Sequence, residues 1–166
     1  TGLGDLSHAS VVFARDGRYA FVFGRDGAVT RVDVPTQRIT HRVEQAGNSI
    51  GGAISAGGSL VVAQNYTPGG IKVFDAATLE LLADVPALMP SGQRSRVVGL
   101  ADLPQRRFIY SLFDAGAICI ADCSNPRQPQ ITTLENIGQQ PYDALISPNG
   151  RTYIAGLLGG DGPAML

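Results

Sequence analysis

The feature that most constrains this chain is a pattern of short strands and turns that recurs along its length. The first copy contains runs rich in β-branched and aromatic residues at 9–13, 19–24, 28–34 and 39–44. Asp-Gly turns separate the first three runs. Four strands in roughly forty residues, after which the pattern restarts, are typical of the four-stranded antiparallel blades of a β-propeller.

The pattern aligns with itself three times, and each copy closes on an aspartate. The copies read GRYAFVFGRDGAVTRVD from residue 17, GSLVVAQNYTPGGIKVFD from residue 58 and RRFIYSLFDAGAICIAD from residue 106. Their closing residues, Asp33, Asp75 and Asp122, lie 42 and 47 residues apart, which is within the roughly 40 to 50 residues of propeller repeats. We therefore predict an all-β fold, a β-propeller whose closing aspartates occupy equivalent turn positions.

A fourth copy begins at Gly150, and its closing aspartate would fall one residue beyond Leu166. A propeller buries its sheet faces only between neighbouring blades, and it loses its open ends only when the ring closes. We therefore expect residues 1–166 to be the N-terminal part of one propeller domain, with blades at 6–45, 46–95, 96–136 and, incomplete, 137–166. Uncovered blade faces also predict contact with a second copy in a homodimer. A complete small β-sandwich is the alternative.

Composition and charge restrict the function classes. The 166 residues have a formal net charge of −1 with acidic and basic residues interspersed, so we expect no nucleic-acid partner and no binding to an anionic membrane surface. No apolar run approaches the roughly twenty residues of a membrane-spanning helix. Cys119 and Cys123 lie at a strand end and turn without the spacing of a zinc or redox pair, which predicts a structural or incidental role for both.

The starts of the innermost strands collect polar side chains. In a propeller the first strand of each blade lines the central channel, so residues at these starts crowd around one opening. Gly51 and Gly52 beside them would let a flat ligand approach the backbone. We therefore expect a ligand site at this opening. The polar residues in this position are His8, Asn48, Ser49, Arg96, Tyr142 and Asp143.

His8 is the candidate metal ligand in this set. We place it at the start of the first innermost strand, and imidazole is the commonest protein ligand to metals. The alternative is hydrogen-bonded packing, the usual role of a single histidine on an inner strand. Ser7, His8 and Asp5 also supply the residue types of a hydrolytic triad, but no nucleophile elbow accompanies them. His41 lies on an outer strand, where we expect it to be solvated.

Several longer runs carry a resemblance to a known family. They are LSHASVVF from residue 6, DGRY from 16, VFGRDG from 22, QAGNSIGGAIS from 45, SLFDAG from 111 and QPYDALI from 140. Together they span nearly the whole chain, and they closely resemble the start of the NirF family of heme d1 biosynthesis proteins. The segments around His8 and Arg25 are also similar to the d1 domain of cytochrome cd1 nitrite reductase, in which the aligned histidine is the proximal ligand to heme d1 iron.

The resemblance implies an eight-bladed propeller that binds heme d1, or a late siroheme-derived precursor, in its channel. His8 is carried over as the iron ligand and as the catalytic residue. We expect Arg25 and Arg96 to pair with carboxylates of the macrocycle, because a guanidinium fork matches a carboxylate. The relatives place further pocket residues, including a distal-side histidine, in later blades. Hydrogen bonds to carbonyl or carboxylate groups at the rim are expected from Asn48, Ser49 and Tyr142.

The resemblance also implies a location and partners. The location is the periplasm of denitrifying bacteria, with lipid anchoring through an N-terminal segment outside this sequence. Other heme d1 biosynthesis proteins or nitrite reductase are the implied protein partners. Two function classes stay open, namely an oxidoreductase or other tetrapyrrole-modifying enzyme and a non-catalytic carrier. A third, a generic propeller binding scaffold, rests on the strand sequence at 71–75 alone and predicts no tetrapyrrole affinity.

Overall fold

The computed structural model describes residues 2–160 and 162–166, which form four antiparallel sheets. The first sheet contains β1 (Ser10–Phe13), β2 (Tyr19–Phe23), β3 (Ala28–Asp33) and β4 (Arg38–Glu44). The second contains β5 (Asn48–Ile54), β6 (Leu60–Thr67), β7 (Gly70–Asp75) and β8 (Leu81–Val85). The third contains β9 (Val97–Leu103), β10 (Arg107–Leu112), β11 (Ala117–Asp122) and β12 (Gln130–Leu134). The fourth contains β13 (Pro141–Ile146), β14 (Tyr153–Leu157) and β15 (Ala164–Met165).

Each sheet is a meander in which consecutive strands pair in chain order. The first strands of neighbouring sheets contact one another, β1 with β5, β5 with β9 and β9 with β13. The sheets therefore radiate from these four strands, as the blades of a propeller do. This confirms the predicted all-β class and the four-stranded antiparallel blades. Within the described ranges there is no helix with the length and hydropathy that crossing a bilayer requires.

The third strand of each complete sheet ends on one of the predicted aspartates. Asp33 Oδ1 accepts hydrogen bonds from the backbone N–H of Thr36 at 3.0 Å and from its hydroxyl at 2.7 Å. Asp75 Oδ1 accepts the same pair from Thr78 at 2.9 and 3.0 Å, and Asp122 also accepts from its turn. These hydrogen bonds lower the pKa of all three carboxyl groups. The predicted equivalent position of the three aspartates, at the end of the third strand of each sheet, is confirmed.

The apolar core lies between the sheets. In β6, Val61 packs with Phe23 in a cluster shared with the first sheet, whereas Val62 packs with Tyr110 in a cluster shared with the third. Successive side chains of a strand point to opposite faces, so covering both faces requires a continuous apolar run in place of an alternating one. The run LVVA at the start of β6, which is fully buried, satisfies this requirement.

Packing between sheets explains one of the two glycines that were predicted to admit a ligand. A Cβ on Gly52 would lie 2.2 Å from the ring of Phe23 in the first sheet. A Cβ on Gly51 would lie 3.1 Å from the side-chain amide of Gln64, which belongs to the same sheet. Protein atoms therefore fill the space that we predicted for a flat ligand beside Gly52, and for Gly52 that prediction is wrong. Gly52 instead allows the first two sheets to approach each other.

The outer faces of the first and last sheets expose large apolar side chains. Val11 and Phe13 of β1 are 47% and 58% exposed, and Leu145 of β13 is 63% exposed. In a propeller these faces are the positions against which further sheets pack. Their coverage by a second copy of the chain stays a prediction.

Both cysteines are free thiols in the interior. They belong to the apolar cluster between the second and third sheets, and burial raises the pKa of Cys123 to about 11. Cys123 follows the last residue of β11 directly, as predicted. A buried thiol with a raised pKa is a poor nucleophile, which agrees with a structural role.

Replacing Gly52 with alanine tests the packing of the first sheet on the second. The added methyl group meets the buried Phe23 ring and the Val62 carbonyl oxygen, so we expect a loss of about 1–3 kcal/mol in the free energy of unfolding. Gly57→Ala is the matched control, because no atom lies within 4 Å of its added methyl group. Urea unfolding curves measure both. Equal stability of the two variants would contradict this role of Gly52.

The turn carboxylates predict a specific loss of stability in acid. Hydrogen bonds from Thr78 lower the pKa of Asp75 in the folded state. The charged form of Asp75 therefore stabilises the fold above the unfolded-state pKa of about 3.9. This stabilisation is lost as the pH falls through the lower pKa of the folded state. Asp75→Asn should therefore cost up to about 1 kcal/mol at pH 7, with the difference from wild type shrinking below roughly pH 4. Asp84→Asn controls for net charge. A difference that is constant down to pH 2 would refute this.

Candidate functional site

A cavity of about 360 Å³ opens where the innermost strands begin. All four sheets contribute to it, through β5, β9, β13, the end of β6, the β2–β3 turn and the segment before β1. Its volume is at the lower end of the range for small-molecule sites. The lining residues are His8, Arg25, Asn48, Ile50, Tyr66, Val98 and Tyr142. Four predicted site residues therefore meet here.

His8 lies in a turn two residues before β1, not at the strand start that we predicted. The backbone N–H of Ala9 donates to the carbonyl of Leu6 at 3.2 Å, and Asp5 Oδ1 accepts from the N–H of Ser7 at 2.9 Å. These bonds fix the turn outside the strand ladder, and the imidazole is exposed on the cavity wall. A ligand can therefore reach His8 directly.

Arg25 is held at the cavity by the turn between β2 and β3. Its backbone N–H donates to the carbonyl of Asp5 at 2.9 Å, and the next residue, Asp26, pairs with Arg42 at 2.8 Å. Burial opposes the charge on Asp26, but hydrogen bonds from Arg42 and from a turn N–H outweigh it, so the pKa of Asp26 is lowered. The exposed guanidinium of Arg25 makes a long contact of 3.5 Å with Ser7 Oγ, which a carboxylate can readily replace.

Burial alternates along β5, with Asn48 at a partly exposed position and Ser49 at a buried one. Asn48 lines the cavity, and its Oδ1 is buried with no hydrogen-bond partner in the described part of the chain. Ser49 is fully buried, and its Oγ donates to the carbonyl of Gln64 at 2.8 Å. This geometry corrects the predicted rim contact from Ser49, whose hydroxyl instead stabilises the pairing of β5 with β6.

Arg96 also differs from its predicted role. It precedes β9, and its Nε lies 3.1 and 3.0 Å from the two carboxylate oxygens of Asp114 in the β10–β11 turn. This pairing raises the pKa of Arg96 and lowers that of Asp114. Arg96 Nη1 donates to the hydroxyl of Tyr66 at 2.7 Å. The guanidinium of Arg96, which we predicted to bind a ligand carboxylate, therefore binds a carboxylate of the protein. Its link to the described lining of the cavity is the hydrogen bond to Tyr66.

Tyr142 lies on the cavity as predicted, with 40% of its surface exposed. The residue after it, Asp143, has a φ of 59° and lies at an irregularity in the pairing of β13 with β14. Its carbonyl oxygen lies 2.2 Å from the position of a Cβ on Gly99, so only glycine fits there. Asp143 is absent from the described lining of the cavity, which fits the way that a bulge redirects side chains.

Three residues of the lining were not predicted as site residues, namely Ile50, Val98 and Tyr66. Ile50 lies two residues after Asn48 on the same strand face, so strand alternation predicts it. Tyr66 was visible in the repeat, because it follows Gly58 by eight residues and Arg25 follows Gly17 by eight. Equivalent positions of two blades therefore line the same cavity.

A larger cavity, of about 650 Å³, lies between the β10–β11 turn and the loop that follows β12. Its lining consists of residues 113–116 together with Asn136, Gly138, Gln139 and Gln140. This set contains neither an imidazole nor a guanidinium, the groups that bind metal and pair with carboxylates. We therefore assign the candidate site to the smaller cavity, where both groups are present.

The metal-binding side chains of the described residues are dispersed. Across residues 2–160 and 162–166, no group of three or more His, Cys, Asp or Glu side chains could hold a metal ion. The exposed imidazole of His8 is the one metal-binding group in the described lining of the cavity.

Comparisons with known proteins place this geometry in a family. The chain is 62% identical over 167 residues to the NirF proteins of Stutzerimonas stutzeri and Pseudomonas aeruginosa, a match that covers 99% of this chain and 43% of each relative. It is similar in structure to dihydro-heme d1 dehydrogenase NirN in complex with DHE, with a TM-score of 0.83 and 28% identity over 96% of this chain and 34% of NirN. The model of the cytochrome D1 heme domain matches residues 1–165. The chain therefore belongs to the cytochrome D1 heme domain family.

Proposed function

We propose that this protein takes part in heme d1 biosynthesis, and that it binds heme d1 or a late siroheme-derived precursor in the channel of its propeller. One observation supports the proposal most directly. All four sheets contribute to one cavity, and that cavity is lined by His8, Arg25, Asn48 and two tyrosines. Membership in the cytochrome D1 heme domain family and similarity to NirF and NirN support it. The chain spans 43% of the length of the NirF relatives, so the activity of the whole protein is part of the proposal.

The cavity residues fit an iron tetrapyrrole that carries carboxylates. The exposed guanidinium of Arg25 would bind a carboxylate, and the exposed imidazole of His8 would ligate the iron. The side-chain amide of Asn48 also lines the cavity, and its N–H groups would donate to a carbonyl or carboxylate oxygen of the ligand. When bound, the iron tetrapyrrole supplies redox and Lewis-acid chemistry. The chain supplies binding and orientation.

A non-catalytic carrier is the second candidate, and the described lining of the cavity favours it in one respect. This lining contains no carboxylate that could serve as a general base. His8 cannot act as a base through the same nitrogen that ligates iron. A carrier needs only the binding groups that are present. Turnover of a bound precursor by the purified full-length protein would distinguish an enzyme from a carrier.

The proposal includes a location and protein partners. We place the protein in the periplasm, attached to the membrane by a lipid on an N-terminal segment, where it would exchange its pigment with other heme d1 biosynthesis proteins or with nitrite reductase. This part of the proposal rests on the resemblance to the NirF family alone. Fractionation of cells tests the location, and mass spectrometry of the pigment that co-purifies with the full-length protein tests the ligand. Purification without a tetrapyrrole, and failure to take up heme d1, would contradict the proposal.

Arg25→Ala should weaken the binding of heme d1 by about 1.5–3 kcal/mol, because a charge-assisted hydrogen bond to a carboxylate is lost. Titration followed by absorbance measures the dissociation constant. Arg15→Ala is the matched control, because Arg15 is equally exposed but lies in the β1–β2 turn, at the opposite end of the strands. Equal affinity of the wild type for heme d1 and for its carboxyl-esterified form would show that Arg25 does not bind a carboxylate.

His8→Ala should remove the imidazole signature from the optical and electron paramagnetic resonance spectra of the heme d1 complex, because no other imidazole lines the described cavity. Binding should persist through Arg25. His41→Ala, on the exposed strand β4, should leave the spectra unchanged. An unaltered spectrum in His8→Ala would rule out ligation and return His8 to a packing role.

A further inference from the structure

Arg96 and Asp114 form a fixed pair at the edge of the cavity. Besides the contacts of Arg96 Nε, Arg96 Nη2 also pairs with Asp114 Oδ1, and the backbone N–H of Arg96 donates to Asp114 Oδ2 at 2.9 Å. The backbone also joins the two segments, since the N–H of Phe113 donates to the Arg96 carbonyl at 3.0 Å and the N–H of Asp114 donates to Ser95 Oγ at 3.0 Å. Neither partner can move without breaking several of these bonds.

The pair reaches into the second sheet through Tyr66. Arg96 Nη1 donates to the Tyr66 hydroxyl at 2.7 Å, and the guanidinium carbon lies 5.1 Å from the centre of the Tyr66 ring. On the third sheet the same carbon lies 4.5 Å from the centre of the Phe113 ring. The guanidinium therefore holds the phenol by a hydrogen bond and by attraction to its ring.

The direction of this hydrogen bond decides what Tyr66 can offer to a ligand. A guanidinium only donates, so the phenol oxygen is the acceptor and its own hydrogen stays available. The Tyr66 side chain lines the cavity together with His8, Arg25 and Asn48. An O–H donor fixed in this way can bind a carbonyl or carboxylate oxygen of a macrocycle without a change of rotamer on binding.

We propose that the Arg96–Asp114 pair is a positioning device that presents the Tyr66 hydroxyl as a hydrogen-bond donor to an oxygen substituent of the tetrapyrrole. The inference rests on the proposed function, and it deepens it by naming a specificity-determining group. Arg96 acts through Tyr66 and not on the ligand, because its Nε and Nη2 already serve Asp114. Arg96 and Asp114 line a separate cavity, with Met89, Gln93 and Arg94.

The repeat gives this arrangement a simple origin. Counted from the start of each copy at residues 17, 58 and 106, the ninth residue is Arg25, Tyr66 and Asp114 in turn. Arg25 and Asp114 lie in the turns that follow β2 and β10, and Tyr66 lies at the end of β6, so all three are at the same end of the second strand of their sheet. In the first sheet that position presents a cation to the cavity, and in the second it presents a phenol. In the third sheet it presents the carboxylate of Asp114, which binds Arg96. Arg96 in turn donates to the hydroxyl of Tyr66.

A double-mutant cycle on the full-length protein tests the inference, with heme d1 as the probe. The variants are Tyr66→Phe, the charge-neutral pair Arg96→Gln with Asp114→Asn, and all three substitutions together. Tyr66→Phe and the pair variant should each weaken binding about fivefold, and their combination should weaken it no more than Tyr66→Phe alone. Arg25→Ala combined with Tyr66→Phe is the control cycle, in which the two effects should multiply.

A measurement without ligand separates this inference from the proposed function. With tyrosine labelled at the ring carbon that bears the hydroxyl, the Tyr66 resonance is assigned by its loss in Tyr66→Phe. The pair variant should shift and broaden this resonance and leave that of Tyr142 unchanged, at an unchanged urea midpoint. Multiplying effects in the first cycle, or an unchanged Tyr66 resonance, would overturn the inference while the proposed function stands. Failure of the wild type to bind heme d1 would overturn both.

Discussion

Burial of the sheet faces between neighbouring sheets is the constraint on which the rest of this structure depends. Val61 and Val62 are adjacent in β6, yet they belong to cores on opposite sides of one sheet. The Phe23 ring fills the space over Gly52, which sets how closely the first two sheets approach. Because the innermost strands lie side by side as a result, short polar segments that are distant in sequence meet at one end of the sheets.

The site is built from positions that the core does not constrain. The strands between two sheets must be apolar on both faces, but most residues just before the innermost strands and in the turns beside them are exposed or half-buried. Their identity can therefore vary between copies while the fold repeats. Arg25, Tyr66 and Asp114 occupy one position of the repeat and have three different chemical roles. A repeat thus supplies one scaffold and several separately adjustable contacts.

The sequence predicted the features that depend on the spacing of the repeat and on the order of strands and turns. It did not predict the features that depend on the direction of individual side chains. The repeat was enough to bring His8, Asn48 and Tyr142 together, because it located the strand starts, and the family resemblance added Arg25. The predicted ligand contact of Ser49 was wrong because burial alternates from one residue of β5 to the next, and Ser49 is at a buried position. The predicted ligand contact of Arg96 was wrong because its partner, Asp114, lies 18 residues away in another turn. No local sequence pattern reveals that this carboxylate neutralises the guanidinium.

The resulting balance of charge bears on how a tetrapyrrole would be recognised. With Arg96 neutralised by Asp114, Arg25 is the cation that the described lining of the cavity offers. The phenols of Tyr66 and Tyr142 and the side-chain amide of Asn48 are neutral groups that can donate hydrogen bonds. Charge attraction alone would admit any polycarboxylate. One cation among neutral donors instead favours a ligand whose carboxylate and carbonyl groups are correctly spaced, and such a site needs no basic surface in a chain of net charge −1.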